Sequence, residues 1–334
     1  MRALFFLRYS HDQASSRVRG LYITEELKRR GIGCKIIYGY DKKMYLSFLS
    51  GLITYDIVYF QKRYSKNDIR LNRIARVVGK KTVFDMDDAP SEVNLNPGVE
   101  EQAGQMMKYS SAVIVGSHKL RDFAQNFNNH VYIIPTSINL NYYKPKKETK
   151  NHVLMLGWIG NGIAYKKDLL MLIRPIEAIG EKYNIKLAII GALEQEEIHQ
   201  GFGKMKNVVV KIIDSINWAD PTAVPSAISD FDVGLYPLLD NKYNQYKCGF
   251  KALEYMAMEI PVVASPVGEN RIIVENGKNG FLASNEKEWE EKLSYLIENG
   301  SVRKRMGKMG RENIKKNYSL EICVSKLIKV FEEI

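Results

Sequence analysis

Apolar residues in this chain recur as short runs separated by longer amphipathic stretches. ALFFL, CKIIYGY, DIVYFQ, KTVFDMD, AVIVGS and VYIIP follow one another in the first 135 residues. Between them lie helical patterns: RGLYITEELKRRG, ending at Gly31, and segments near 66–79, 99–109 and 118–127. Short Val/Ile-rich runs alternating with helices predict a parallel sheet covered on both faces. The polar stretch NYYKPKKETKNH at 141–152, broken by Pro145, reads as a linker. HVLMLGWIG then opens a second series, with a helix near 166–181 and strands KLAIIG, VVVKIID, VGLYPL, IPVVAS and GFLA. The pattern predicts an α/β chain of two Rossmann-like, doubly wound parallel-sheet domains facing across a cleft. The expected divisions are 1–148, 149–318 and a terminal helix over 319–334 that is free to cross back to the first domain.

The 334 residues suit two domains, and 45% hydrophobic residues suffice for ordinary cores. Cys34, Cys248 and Cys323 are too few, and oddly numbered, for a disulfide framework, which fits a reducing cytoplasm. No apolar run reaches the length of a membrane span, and ALFFL is shorter than a signal-peptide core. The net charge of +11 is uneven. Residues 1–150 hold 25 Lys+Arg and 14 Asp+Glu, whereas the remainder holds 24 of each. A field of that kind attracts phosphates, nucleic acid or an anionic membrane. No aromatic-basic surface motif accompanies it, which argues against nucleic acid. In SKNDIRLNRIARVVGKK a helix puts Lys66, Arg70, Arg73 and Arg76 on one side. Leu71, Ile74 and Val78 lie opposite, where a core is expected. The basic side is either a solvated face or a face for an anionic bilayer.

Candidate chemistry concentrates in YKCGFKALEYMAMEIPVVASPVGEN, from Tyr246. A helix starting near Cys248 places Lys247, Lys251 and Glu254 on one stripe, and Phe250, Leu253 and Ala257 on another. First-turn amides and the helix dipole favour an anion, and Gly249 allows it close to the backbone. A diphosphate fits, with Glu254 accepting from a ribose diol. Lys251 and Glu254 equally form an ordinary i,i+3 surface pair.

The longer stretch FDVGLYPL…YKCGFKALEYMAMEIPVVASPVGENRIIVENGKNGFLA resembles the donor-binding half of GT-B glycosyltransferases, especially the group 1 (family 4) retaining enzymes. The resemblance implies a nucleotide-sugar donor on the C-terminal domain, an acceptor on the N-terminal domain and no metal. It makes Glu254 the ribose-binding second glutamate of the family's E-x7-E motif. This chain departs from the motif at its first glutamate, where Tyr246 stands, followed by a Lys-Cys-Gly-Phe-Lys signature. The missing carboxylate is the one that binds the transferred sugar, so the sugar and the anomeric outcome stay open.

GWIGNGIAYKKD carries a glycine turn at Gly157, Gly160 and Gly162. Lys166 or Lys167 stands where similar transferases touch the diphosphate, and Trp158 replaces a commonly basic residue. In SHDQASSRVRG, Ser15 and Ser16 are expected to cap a helix, which leaves Arg17 and Arg19 at the cleft. Asp85, Asp87 and Asp88 in FDMDDAP orient an acceptor or supply a base, cap a helix, or bind a divalent cation. Ser117 and His118 occupy a further strand-to-helix turn. Trp218 reads as core.

The reading is a glycosyltransferase whose catalytic candidates are Lys247, Asp87, His118 and Arg17. Gly160, Lys166, Lys167, Lys247, Gly249, Phe250, Lys251 and Glu254 would hold the donor. Ser16, Arg19, Asp85 and Asp88 would lie on the acceptor side. The implied co-substrate is a nucleoside diphosphate sugar, a UDP-sugar before a GDP-sugar, with no further cofactor. The implied acceptor is a glycan hydroxyl, lipid-linked, in envelope polysaccharide or glycoconjugate assembly. The expected location is cytoplasmic, peripheral on the inner face of the plasma membrane. A nucleotide-sugar epimerase of the same fold and a silent nucleotide-binding subunit are the alternatives.

Overall fold

A computed structural model describes residues 1–39, 42–89, 97–145 and 153–334. It contains two six-stranded sheets in which every strand pair is parallel. The first holds β1 (Arg2–Leu7), β2 (Gly33–Tyr38), β3 (Ile57–Gln61), β4 (Lys81–Met86), β5 (Ala112–Val115) and β6 (Val131–Ile133). Their spatial order is β2-β1-β3-β4-β5-β6. The second holds β7 (Leu154–Ile159), β8 (Ile185–Ile190), β9 (Val208–Ile213), β10 (Val233–Tyr236), β11 (Val262–Ala264) and β12 (Gly280–Leu282). Their order is β12-β11-β10-β7-β8-β9. Both are Rossmann-like. The strand order reverses between β1 and β3 in one sheet and between β7 and β10 in the other, and such switch points are where ligand crevices form.

The chain forms two compact units. One comprises Met1–Asn139, Gln245–Cys248 and Asn317–Ile334, and the other Leu140–Asn244 and Gly249–Lys316. Each has its own core. Leu4, Phe6, Phe48, Val58, Phe60 and Phe84 anchor the first, and Leu156, Trp158, Ile189, Leu235 and Trp289 the second. Every residue of β3 and of β5 is buried, as strands covered on both faces require. The helix Leu320–Glu333, capped by Ser319, belongs to the first unit and packs on the helix Tyr22–Arg29. Arg30 joins the two by donating to Ser325 Oγ at 2.7 Å and to the Glu321 carbonyl at 2.9 Å.

Several local expectations change. The helix expected near 166–181 is two, Gly162–Leu170 and Ile173–Gly180. Pro175 lacks an N–H and its ring clashes with the carbonyl four residues back, which ends the first helix ahead of it. The stretch read as a linker is structured at its start: Tyr143 is buried, and its carbonyl accepts from Arg311 Nη1 at 2.9 Å. The rest of that stretch, 146–152, lies outside the described residues. Ile74 and Val78, expected in the core, are exposed. The helix Lys66–Val77 is turned instead by Asn72, fully buried, which donates to Ser110 Oγ at 3.0 Å and to the Met106 carbonyl at 3.3 Å. Ile69, Leu71 and Ala75 then face the core, and Ile74 rotates out among the arginines.

Candidate functional site

In the second unit, chemistry gathers at the carboxyl ends of β7 and β10, the switch point. The helix Phe250–Ala257 starts two residues later than expected, at Gly249, whose φ of 71° is left-handed. A side chain there would be strained, and its Cβ would meet Ile273 Cδ1 at 2.3 Å. Lys251, on the first turn, is buried. Its ammonium lies 3.5 Å from the ring centroid of Tyr165, 5.1 Å from Tyr236 and 5.9 Å from Trp158. Gly160 completes this sleeve, because a Cβ on it would meet Lys251 Cε at 2.5 Å. The rings attract the cation through their quadrupoles. Glu254, one turn on, is buried and accepts from the Tyr143 hydroxyl at 2.6 Å. Asn270 Oδ1, close to Gly249, is buried with no hydrogen-bond partner among the described residues.

The glycine turn after β7 works differently from a phosphate cradle. The Gly160 and Gly162 amides donate to the carbonyls of Ile190 and Gly191, at 2.9 and 2.7 Å. These glycines allow two strand ends to approach. Lys166 pairs with Glu197 at 2.5 Å, and Lys167 is exposed.

In the first unit, a chain of opposite charges runs along the carboxyl end of the sheet. Arg19 and Asp85 form a fully buried forked pair, with Arg19 Nε 2.9 Å from Asp85 Oδ2. Arg19 Nη1 also donates to the Ile134 carbonyl at 3.1 Å. Burial alone would depress the guanidinium, but the charge of Asp85 outweighs it and holds Arg19 well above its ordinary range. Lys62, just past β3, bridges Asp87 at 2.6 Å and Asp88 at 2.8 Å. Its φ of 51° is left-handed, an unusual conformation for lysine. Lys247 lies 3.7 Å from Asp88. Burial disfavours the Asp88 carboxylate, yet Lys62 and Lys247 together hold its pKa well below the usual carboxylate value. Neighbouring Tyr246 accepts from Ser117 Oγ at 3.1 Å through its carbonyl, and its ring sits edge-on to Phe123. Burial, with Asp88 and Asp87 nearby, pushes the Cys248 thiol up to about 11, so it is no nucleophile at neutral pH.

The sequence-derived candidates therefore separate. Lys251, Gly249, Phe250, Glu254 and Gly160 converge in the second unit, while Asp85, Asp87, Asp88, Arg19 and Lys247 converge in the first. Lys247 precedes the helix and shares no helical stripe with Lys251 and Glu254, because Gly249 breaks the backbone between them. Ser16 caps nothing: it is buried and donates to the Tyr9 carbonyl at 3.0 Å. Arg17 turns back onto the carbonyls of Asp12 and His11, at 2.9 and 3.2 Å. Arg19 and Asp85 hold each other in the interior and present no surface to a substrate. His118, half-buried, opens a helix that Ser117 caps. Among the described residues no group of three or more His, Cys, Asp or Glu is placed to hold a metal ion. Sequence reasoning missed Lys62, Tyr143, Tyr165 and Tyr236. A charged residue at the carboxyl end of a buried strand was a usable signal for Lys62, whereas nothing local marked Tyr143.

Comparison with known proteins adds to this geometry. Residues 153–299 match the family model described as Glycosyl transferases group 1. An uncharacterized glycosyltransferase of Methanocaldococcus jannaschii is 43% identical over 88 residues, covering 26% of this chain and 25% of that protein. The capsular polysaccharide biosynthesis glycosyltransferase CapM of Staphylococcus aureus is 28% identical over 197 residues, covering 56% of this chain and 49% of its own length. The matches thus span a quarter to a half of these curated relatives. In fold, the chain is similar to Anabaena HepE, crystallised in complex with UDP-glucose, with a TM-score of 0.73 at 14% identity, over 99% of this chain and 100% of that one. The second unit is related to group 1 glycosyltransferases, and the chain has the two-Rossmann GT-B fold.

The buried charges yield two expectations. Arg19→Met leaves Asp85 buried and unpaired, and should cost about 3–5 kcal/mol. Arg19→Met with Asp85→Leu should recover much of that loss; equilibrium urea unfolding checks both. Asp88, whose folded pKa is depressed, contributes stability that is complete above its unfolded value of 3.8 and is lost as pH falls below it. Asp88→Asn should therefore flatten the acid limb of stability against pH, measured by urea midpoints over pH 2–6, a range set roughly by the carboxylate titration.

Proposed function

We propose that the chain is a hexosyltransferase that moves a sugar from a nucleoside diphosphate sugar to a hydroxyl of a glycan acceptor. The observation that carries the reading is the Lys251 ammonium, held at a switch point one turn from Glu254, within the stretch that matches group 1 glycosyl transferases. In this reading Lys251 meets the diphosphate and Glu254 accepts from the ribose. Tyr143 fixes one oxygen of Glu254 and thereby aims the other. The bond from the anomeric carbon to the diphosphate oxygen breaks with its electron pair left on the diphosphate, the acceptor oxygen bonds to that carbon, and the acceptor's proton passes to the departing diphosphate oxygen. Cationic side chains stabilise the departing charge, so the proposal includes metal independence and, by family likeness, retention. Lys247 is a separate candidate for stabilising that charge. Asp87, ion-paired to Lys62, orients the acceptor. UDP is the first nucleotide to test, because HepE was crystallised with UDP-glucose. The acceptor is taken to be lipid-linked, in keeping with the basic first half of the chain and the capsular role of CapM.

Tyr246, in place of the family's first glutamate, favours one second reading, a nucleotide-binding subunit without turnover. Slow hydrolysis of a donor sugar by the purified chain separates the two, since a silent subunit binds nucleotide and releases no sugar.

Glu254→Ala should weaken binding of the nucleoside diphosphate by about 1–3 kcal/mol, the cost of an unmet polar group in a desolvated site. Tyr143→Phe should weaken it less, but should narrow the preference for ribose over the 2′- and 3′-deoxy nucleotides. Calorimetric titration with the three nucleotides reads both effects, and undiminished preference in Tyr143→Phe removes the aiming role. Folded Lys247→Ala should lose roughly 10²–10³ in single-turnover transfer, with a smaller loss in donor affinity. Transfer within a few fold of the parent would leave Lys247 as an anchor for Asp88 only.

A further inference from the structure

The helix Lys42–Thr54 carries apolar residues on the side away from the core. Met44, Phe48 and Leu52 are buried, yet Leu46 is 71% exposed, Leu49 54% and Ile53 87%. Spaced by three and four, these three form one stripe along the helix. Crossovers β2→β3 and β3→β4 run in the same direction along the sheet, so right-handed connection puts this helix and Lys66–Val77 on one face. Both helices pack into the same core. The second presents Lys66, Arg70, Arg73 and Arg76, with Ile74 among them and Val77 86% exposed. Residues 42–54 and 66–78 contain a single acid, Asp68, which is buried in its capping box.

We propose that this face of the first unit docks on an anionic bilayer, with Leu46, Leu49 and Ile53 entering the boundary between headgroups and acyl chains. The inference rests on the lipid-linked acceptor reading and names the surface that meets the membrane. Exposed aliphatic side chains flanked by cations, without acids, match a surface that is negative outside and apolar beneath. A second copy of the chain fits poorly, since a two-fold contact through this face sets the arginines of one copy against those of the other. A folded protein partner would have to offer an acidic rim around an apolar groove, which is a narrower demand than a lipid surface makes.

The test uses the full chain and sedimentation with phosphatidylcholine vesicles, with and without phosphatidylglycerol. The parent should bind when phosphatidylglycerol is present and lose binding at high salt. Leu46→Ser, Leu49→Ser and Ile53→Ser together should lower the vesicle partition coefficient about a hundredfold or more, since burying each aliphatic side chain is worth on the order of tenfold. Arg70→Gln with Arg73→Gln should lower it about twentyfold, at roughly fivefold per charge. All five positions are exposed, and circular dichroism checks that the variants are folded. Equal partitioning of the triple serine variant and the parent overturns the proposal. So does a parent that ignores the vesicles, or one that dimerises through the stripe and becomes monomeric in the serine variant. UDP binding, measured on the same samples, tests the donor site separately: its loss in the parent strikes the transferase reading and leaves the vesicle result standing.

Discussion

The arrangement of the candidate site depends on the left-handed turn at Gly249. Its backbone conformation and the contact a side chain would make with Ile273 leave glycine as the residue that fits. The turn ends the tetrapeptide Gln245–Cys248, which belongs to the first unit, and starts the helix Phe250–Ala257, which belongs to the second. Lys247 and Lys251, four residues apart, are thereby assigned to different surroundings. One faces carboxylates and the other faces rings. A continuous helix through 247–254 would have put both on one stripe and left the first unit without its outermost cation.

That cation completes a polar sequence whose members constrain each other. Asp88 lies between Lys62 and Lys247, and Asp87 shares Lys62, whose backbone is held in an unfavourable region while its amide donates to the Asp85 carbonyl at 2.9 Å. Asp85 in turn is locked by Arg19. Groups paired in this way depend on every partner, since removing one leaves another buried without its counter-charge. The same pairing argues against reading the three aspartates as a cation site, because protein cations already hold them.

Much of the fold was legible because strands buried on both faces read as apolar runs, and because glycine and proline mark helix ends. The helix Lys42–Thr54 was not read: its core residues and its exposed stripe are both apolar, so MYLSFLSGLI has no polar side for periodicity to detect. The opposite error placed Ile74 and Val78 in the core, because a local pattern cannot show that Asn72, bonded to a helix more than thirty residues on, sets the rotation. Glu254 and Lys251 were visible as residue types at a helix start. Their holders were not, since Tyr143 and Tyr165 come from segments distant in sequence. Arg19 and Asp85 were singled out for their charges. Their distance of 66 residues in sequence hid that the two charges answer each other.

The holders also bear on how Lys251 would meet an anion. A carboxylate near a lysine ammonium neutralises much of its field, and a bound anion must then compete with it. Aromatic faces attract an ammonium through a quadrupole and leave its net charge in place. The part of Lys251's anchoring that Tyr165, Tyr236 and Trp158 supply therefore fixes the position of the cation without cancelling it. Trp158 has a role of its own in this sleeve. It fills the floor of the sleeve, fully buried, and Gly160 beside it gives the lysine stem room to pass. The position of the Lys251 cation at the helix start is set by this packing.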